Sequence, residues 1–215
     1  NLYTASTVAV DVGSGQIRGH FRYHPNDSWD WDEVSPPILV DYQRGGRTVK
    51  GLINVARNGY LWFLERGAGA IGFVQGTPYV RQTVFKSLDP KTGRPDVDPA
   101  RKPATGRKVD NICPSHWGGK NWPPIAFSPK TRMIYIPANN NLCSELPAAD
   151  KVVEYKKGDL FIGYPIDGVL GSLRWADANA PKTIGEIQAW DITTGKQVWA
   201  HKFPTFMWGP ILTTG

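Results

Sequence analysis

Apolar residues along this chain come in short bursts and show almost no helical periodicity. The clearest bursts span residues 7–10, 38–40, 52–55, 60–64, 133–136, 160–162 and 187–190. Gly, Pro, Asn or Asp bounds each one within a few residues, and Val, Ile, Tyr, Trp and Phe dominate them. Such side chains suit a pleated, half-buried surface, so the pattern predicts strands throughout. Helical turns are expected only near residues 146–153.

A weak internal repeat organises the strands. Residues 9–18 (AVDVGSGQIR) align in register with 189–198 (AWDITTGKQV); 64–71 (LERGAGAI) keeps the skeleton and 88–94 (LDPKTGR) abbreviates it. The skeleton is an apolar residue, an acid, turn residues, Gly, and a polar residue leading into another strand. That is a tight hairpin in which the acid caps the turn and Gly takes the positive-φ position. Hairpins recurring at about 40–50 residues with repeated Trp predict an all-β propeller. A β-sandwich is the alternative, since regular strands alone do not exclude it. About four blades are expected across residues 1–215.

The composition adjusts this picture. The 215 residues include 23 Gly, 18 Pro and 9 Trp, and 40% are hydrophobic, enough for a core. No apolar run approaches the roughly 18–20 residues of a membrane-spanning helix. No leader precedes Asn1, and both ends read as if cut from a longer chain, so a partial sequence is expected. The net charge of +6 is concentrated locally. Arg81 to Lys108 holds eight bases against three acids, together with Pro90, Pro95, Pro99 and Pro103. So many prolines predict a surface excursion over 81–110 rather than a helix or strand. It reads as a solvated loop or as a docking surface for an acidic partner. Nucleic acid fits poorly, because only Phe85 interleaves with these charges.

Two patterns carry alternatives. Cys113 and Cys143 stand 30 residues apart, outside the short zinc and thioredoxin spacings. They read as a disulfide, which would indicate an oxidising compartment, or as buried thiols; with His116 they make an incomplete zinc set. Gly67, Gly69 and Gly72 satisfy G-x-G-x-x-G after a strand, with Asp89 beyond. A dinucleotide site needs a helix starting at those glycines, and residues 73–78 (FVQGTP) cannot supply one. The repeat turn explains them instead.

The densest chemistry lies in residues 26–33 (NDSWDWDE), with four carboxylates in seven residues interleaved with two indoles. On an extended segment Asp30 and Asp32 share one face and Trp29 and Trp31 the other. Two carboxylates on one face repel unless a cation lies between them, and oxygen donors favour a hard ion such as calcium. An Asx-rich surface loop is the plain alternative. His20 and His24 would lie about 13 Å apart on a strand and cannot share a metal there. Ser115 and His116 show no nucleophile elbow. Trp175, Trp190 and Trp208 are expected in blade cores.

Residues 1–11 (NLYTASTVAVD), 24–32 (HPNDSWDWD), 56–60 (ARNGY), 112–115 (ICPS) with 118–122 (GGKNW), and 189–199 (AWDITTGKQVW) resemble the pyrroloquinoline-quinone (PQQ) dependent alcohol dehydrogenases. The segments follow the family's order and spacing over nearly the whole chain. The resemblance implies an eight-bladed propeller with Trp-docking repeats, about half of it present here. Gly19 stands near where the later copy has Trp199, so the first docking residue is missing. By resemblance Asp30 is the base that takes the alcohol proton while hydride moves to the quinone, and Arg57 hydrogen-bonds the quinone oxygens. Asn121 contacts the PQQ rim and Trp122 helps line the site. Cys113 and Cys143 match a disulfide of the methanol-dehydrogenase branch.

Asp32 discriminates between branches. The calcium methanol enzymes carry a small neutral residue there, and the lanthanide-dependent branch a second aspartate, as here. Asp30 and Asp32 are therefore the expected ligands of a calcium or lanthanide ion. The resemblance further implies a small alcohol substrate, a cytochrome c or other electron acceptor, and a periplasmic location; a homo-oligomer is compatible with it. A glutamate and an asparagine that complete the family's metal site upstream are absent from this stretch, as is any C-x-x-C-H haem site. A non-catalytic propeller fragment or binding module is the alternative function.

Overall fold

The computed structural model describes residues 2–67, 69–149 and 153–214. Strands dominate them. β1 (Ser6–Val10) and β2 (Ile17–Arg22) form a hairpin. β3 (Ile38–Arg44), β4 (Arg47–Val55), β5 (Tyr60–Gly67) and β6 (Ala70–Pro78) form a four-stranded antiparallel meander. β7 (Phe85–Leu88) and β8 (Pro95–Val97) make a second hairpin. After β9 (Val109–Ile112), β10 (Ala126–Ser128), β11 (Met133–Asn139), β12 (Leu142–Leu146) and α1 (Ile166–Leu170) come β13 (Leu173–Trp175), β14 (Gly185–Asp191) and β15 (Lys196–Phe203). A four-stranded sheet runs β10-β11-β14-β15, and a three-stranded one β13-β12-β9. Among the described residues no helix is long and apolar enough to cross a membrane.

Alternation along the β3–β6 sheet explains why it sits centrally. Ile53, Val55, Leu61 and Phe63 face a core shared with Ile134, Ile136 and Trp190 of the β10-β11-β14-β15 sheet. The intervening Leu52, Tyr60, Trp62 and Leu64 face a second core with Phe21, Tyr23, Trp29, Trp31 and Phe85. A period of two with both sets apolar gives a sheet buried on both faces, as in stacked blades.

The repeat seen in the sequence is a repeat of register. Ala9 pairs with Gly19 and Ala189 with Trp199, and each ladder shifts immediately after that alanine. In the turns, Asp11, Asp89 and Asp191 accept N–H bonds from Ser14 (2.8 Å), Thr92 (2.7 Å) and Thr194 (2.6 Å). Gly15, Gly93 and Gly195 follow at φ of +69°, +71° and +66°. Gly19 stands where the later copy has Trp199, and the space beside it is narrow. A Cβ there would come within 3.1 Å of the Ala70 backbone, where β2 lies against β6.

Several expectations are corrected. Glu65 caps no turn; Arg47 on the neighbouring strand binds both its carboxylate oxygens at 2.8 Å. Residues 160–162 form no strand. Gly158, Gly163 and Pro165 break up the run, and Leu160, Phe161 and Ile162 are exposed. The 81–110 excursion contains the β7–β8 hairpin and a 3₁₀ turn (Pro99–Arg101), because Phe85 is drawn into the second core. Helical turns at 146–153 are not found where described: Leu146 ends β12, residues 147–149 are irregular, and 150–152 lie outside the described residues. Among the described residues two sheets have four strands, and the described parts of 79–125 and 140–184 run largely as connections and small sheets. Gly67 ends β5 and Gly72 lies within β6, so the G-x-G-x-x-G glycines open no helix.

Candidate active site

The connections gather around one cavity of about 1270 Å³. Its walls include Asp30, Asp32, Arg57, Asn121 and Trp122, so the candidates singled out in the sequence are brought together.

The segment bearing Asp30 is a knotted loop rather than an extended strand. Trp29 and Trp31 are both buried and stack on each other, 5.2 Å between centroids. Their indole N–H groups donate to the carbonyls of Arg101 (2.7 Å) and Ser115 (2.9 Å), tying this loop to the basic excursion and to the loop after β9. Asp30, between them, adopts φ of +64° and turns outward. That left-handed conformation costs a non-glycine residue roughly 1–2 kcal/mol. The Asp27 carboxylate holds it, accepting the Trp29 N–H at 3.0 Å and the Trp31 N–H at 2.8 Å. Burial raises the Asp27 carboxyl, but His24 and these two amides outweigh it and leave the pKa lowered.

Arg57 follows β4 and is buried. Its Nη2 donates to the His116 carbonyl at 2.7 Å and lies 3.6 Å from Asp30 Oδ2. Burial raises the Asp30 pKa; Arg57 opposes that rise, and Asp32 and Asp27 add to it. Gly118, at φ +77°, explains part of the GGKNW motif: a Cβ there would stand 2.9 Å from Arg57 Cβ and its carbonyl oxygen. Asn121 is buried, donating from Nδ2 to the Trp117 carbonyl (3.2 Å) and accepting the Trp122 N–H (2.9 Å). Trp122 is 71% exposed at the cavity edge.

Other groups escaped the sequence reading. Lys120 is fully buried, donating from Nζ to the Asn121 carbonyl at 2.8 Å; burial lowers its pKa to about 8, against the pull of Glu33. Glu33 accepts the Arg57 N–H at 3.2 Å, and burial raises its own pKa against Lys120. His116 contributes to the cavity wall, with Nδ1 3.2 Å from the hydroxyls of both Ser144 and Ser172. Burial, aided by Arg57, pushes it down to about 4, so it is neutral near pH 7. The sequence marks His116 by its nearness to Cys113, where it reads only as part of an incomplete zinc set and, beside Ser115, as no nucleophile elbow. Trp190 fills a core as expected; Trp175 and Trp208 do not, being 37% and 47% exposed, and Trp208 lines the cavity beside Trp117.

Cys113 and Cys143 form a disulfide with Cα atoms 4.3 Å apart, which removes both from any zinc set. His20 packs on Tyr3 and His24 beneath Trp31, so they serve separate sites. Among the described residues no group of three or more His, Cys, Asp or Glu converges as a metal-ligand cluster. Asp27, Asp30 and Asp32 line one cavity at close enough range to repel, and Asp27 is already engaged by two backbone N–H groups, which leaves Asp30 and Asp32 as the pair of oxygen donors for a cation. Such a pair fits a hard cation but leaves most of its six to eight positions to other ligands. Arg57 Nε is buried without a hydrogen-bond partner among the described residues, so this guanidinium retains donor capacity for a carbonyl-bearing molecule.

The family model described as PQQ: glucose/ethanol/alcohol dehydrogenase, beta-propeller domain, matches residues 1–73. Quinoprotein alcohol dehydrogenase PedH of Pseudomonas putida is 33% identical, over all of this chain and 35% of its own length. The lanthanide-dependent methanol dehydrogenase of Methylacidiphilum fumariolicum is 29% identical, over all of this chain and 34% of its own length. A solved europium-containing methanol dehydrogenase superposes with a TM-score of 0.81 at 26% identity, covering 95% of this chain and 34% of that one. The chain thus spans about a third of the length of the curated relatives it matches.

Proposed function

We propose that this chain, which belongs to the family of PQQ-dependent quinoprotein alcohol dehydrogenases, provides the base and a quinone-polarising cation for oxidising an alcohol to an aldehyde. The observation that carries the reading is the approach of Asp30 to Arg57, 3.6 Å apart at one cavity. When bound, PQQ supplies the carbonyl that accepts hydride from the alcohol carbon, and a calcium or lanthanide ion supplies Lewis acidity. A carboxylate oxygen of Asp30 accepts the hydroxyl proton, so proton and hydride leave the substrate by separate routes. Arg57 offers a fixed positive charge to the quinone oxygens, where negative charge grows during the reaction. Asn121 contacts the cofactor rim and Trp122 closes one side.

Asp30 and Asp32 are the proposed metal ligands of this chain. The second carboxylate adds a negative charge that a trivalent ion neutralises better than a divalent one, which favours a lanthanide. The lanthanide-dependent and europium-containing relatives support this preference. Electrons leave to a cytochrome c or another acceptor, and the Cys113–Cys143 disulfide supports a periplasmic location.

The test is Asp30→Asn in the complete enzyme. Turnover should fall by at least about a hundredfold, the low end of general-base contributions, with PQQ retained. Normal turnover would remove Asp30 from the role of base.

A further inference from the structure

Resting on the reading of Asp30 as base, we infer that Asp27, oriented by His24 and Asn58, is a positioning residue that sets where the Asp30 carboxylate points. Asp27 sits three residues before Asp30 and lines the same cavity. Its two carboxylate oxygens take the N–H groups on either side of Asp30, Oδ1 that of Trp29 and Oδ2 that of Trp31. The backbone around Asp30 is thereby pinned at two points while its φ of +64° lies in the left-handed region, which non-glycine residues adopt uncommonly and aspartate more readily than most.

Asp27 is itself held from below. His24 is 1% exposed, and its Nε2 stands 3.4 Å from Asp27 Oδ1. On the other edge of the ring, His24 Nδ1 meets Asn58 Nδ2 at 3.4 Å. The amide orientation fixes the direction of this chain. Asn58 Oδ1 already accepts the Tyr60 N–H at 3.1 Å and the Trp62 indole N–H at 3.4 Å, so Nδ2 is the group facing His24. Nδ2 donates, His24 Nδ1 accepts, and the ring proton resides on Nε2, on the side of the ring that faces Asp27. Asn58 directly follows Arg57. One line of polar contacts therefore runs from the turn that carries the cation to the loop that carries the base: a hydrogen bond from Asn58 to His24, then the 3.4 Å approach of His24 Nε2 to Asp27 Oδ1.

Misplacing a reacting group by about 1 Å costs on the order of a hundredfold in rate. The test compares three variants of the holoenzyme with Asp30→Asn. Asp27→Asn keeps one acceptor oxygen and loses the other. His24→Phe keeps the ring that packs edge-on against Trp31 at 5.9 Å but has no donor. His24→Gln restores an acceptor for Asn58 and a donor for Asp27. Asp27→Asn and His24→Phe should lower kcat by about tenfold to a hundredfold. KM for the alcohol, the thermal midpoint and PQQ affinity, followed by tryptophan quenching as PQQ is added to apoenzyme, should stay within about twofold or a few degrees of the parent. His24→Gln should recover most of kcat. If Asp27→Asn fails to fold, the two His24 variants decide alone. Equal kcat in His24→Phe and His24→Gln, or a kcat loss matched by lost PQQ affinity, would overturn the inference. An inactive Asp30→Asn beside a fully active His24→Phe refutes the positioning role alone; an active Asp30→Asn refutes the base itself.

Discussion

His116 should make the fold acid-sensitive in a defined window. Its imidazole is buried, faces two serine hydroxyls, and lies near the Arg57 cation. Burial first, and Arg57 second, depress its pKa from 6.5 to about 4. The unfolded chain therefore takes up a proton below about pH 6.5 that the folded chain refuses until about pH 4. Stability rises with pH through that window, and on acidification it falls there and then levels off. At about 1.4 kcal/mol per pH unit the full effect is roughly 3 kcal/mol. Carboxylates titrate over the same range in both directions, Asp27 being lowered and Asp30 raised, so the wild-type curve alone is ambiguous. His116→Gln removes the titration and keeps an acceptor for the Ser144 and Ser172 hydroxyls. Urea unfolding of both proteins, followed by tryptophan fluorescence in half-unit steps of pH, gives a difference curve. Wild type should lose about 3 kcal/mol relative to the variant between pH 7 and pH 4. A flat difference curve would show that the imidazole protonates as readily in the fold as in the open chain.

Two further outcomes follow from the same contacts. The Cys113–Cys143 bridge closes a separation of 30 residues, for which chain entropy gives about 3.6 kcal/mol; the Cys113→Ala/Cys143→Ala double variant should lose a comparable amount in urea unfolding, and a loss below about 1 kcal/mol would contradict this. Asp32→Ala should move metal preference from a lanthanide towards calcium when apoenzyme is reconstituted with PQQ and each metal separately, and an unchanged preference would make Asp32 a loop carboxylate only.

Features written in neighbouring residues were legible in the sequence. Asp11, Asp89 and Asp191 cap their own turns within three residues, and a local hydrogen bond leaves a local signature. Glu65 shows the limit. It has the same spacing, but its partner Arg47 lies across the sheet, and an ion pair between strands leaves no mark in a turn motif. Residues 160–162 fail for a related reason: they are apolar enough for a strand but have no neighbouring strand to pair with. Asp30 and Arg57 came from the family resemblance, with spacing alone suggesting no more than a cation loop. The charge states of His116, Lys120 and Glu33 were not legible, because they depend on burial and on neighbouring charges, which no single stretch displays.

Asp30 stands between opposing demands. Burial, with Asp32 and Asp27, pushes its carboxyl towards the protonated acid, which cannot take a proton from an alcohol; Arg57 pulls the other way at 3.6 Å. Among this chain's own groups the upward push wins. A raised pKa strengthens the base as long as the carboxylate stays ionised, and a cation held by Asp30 and Asp32 would favour the ionised form. Asp32 then has two consequences of opposite sign. As a bare neighbour it raises Asp30, and as a second anchor for a cation it brings in the charge that lowers it. Metal occupancy and ionisation of the base are thus one linked equilibrium, and metal affinity should rise with pH through the titration of Asp30, even where PQQ remains bound.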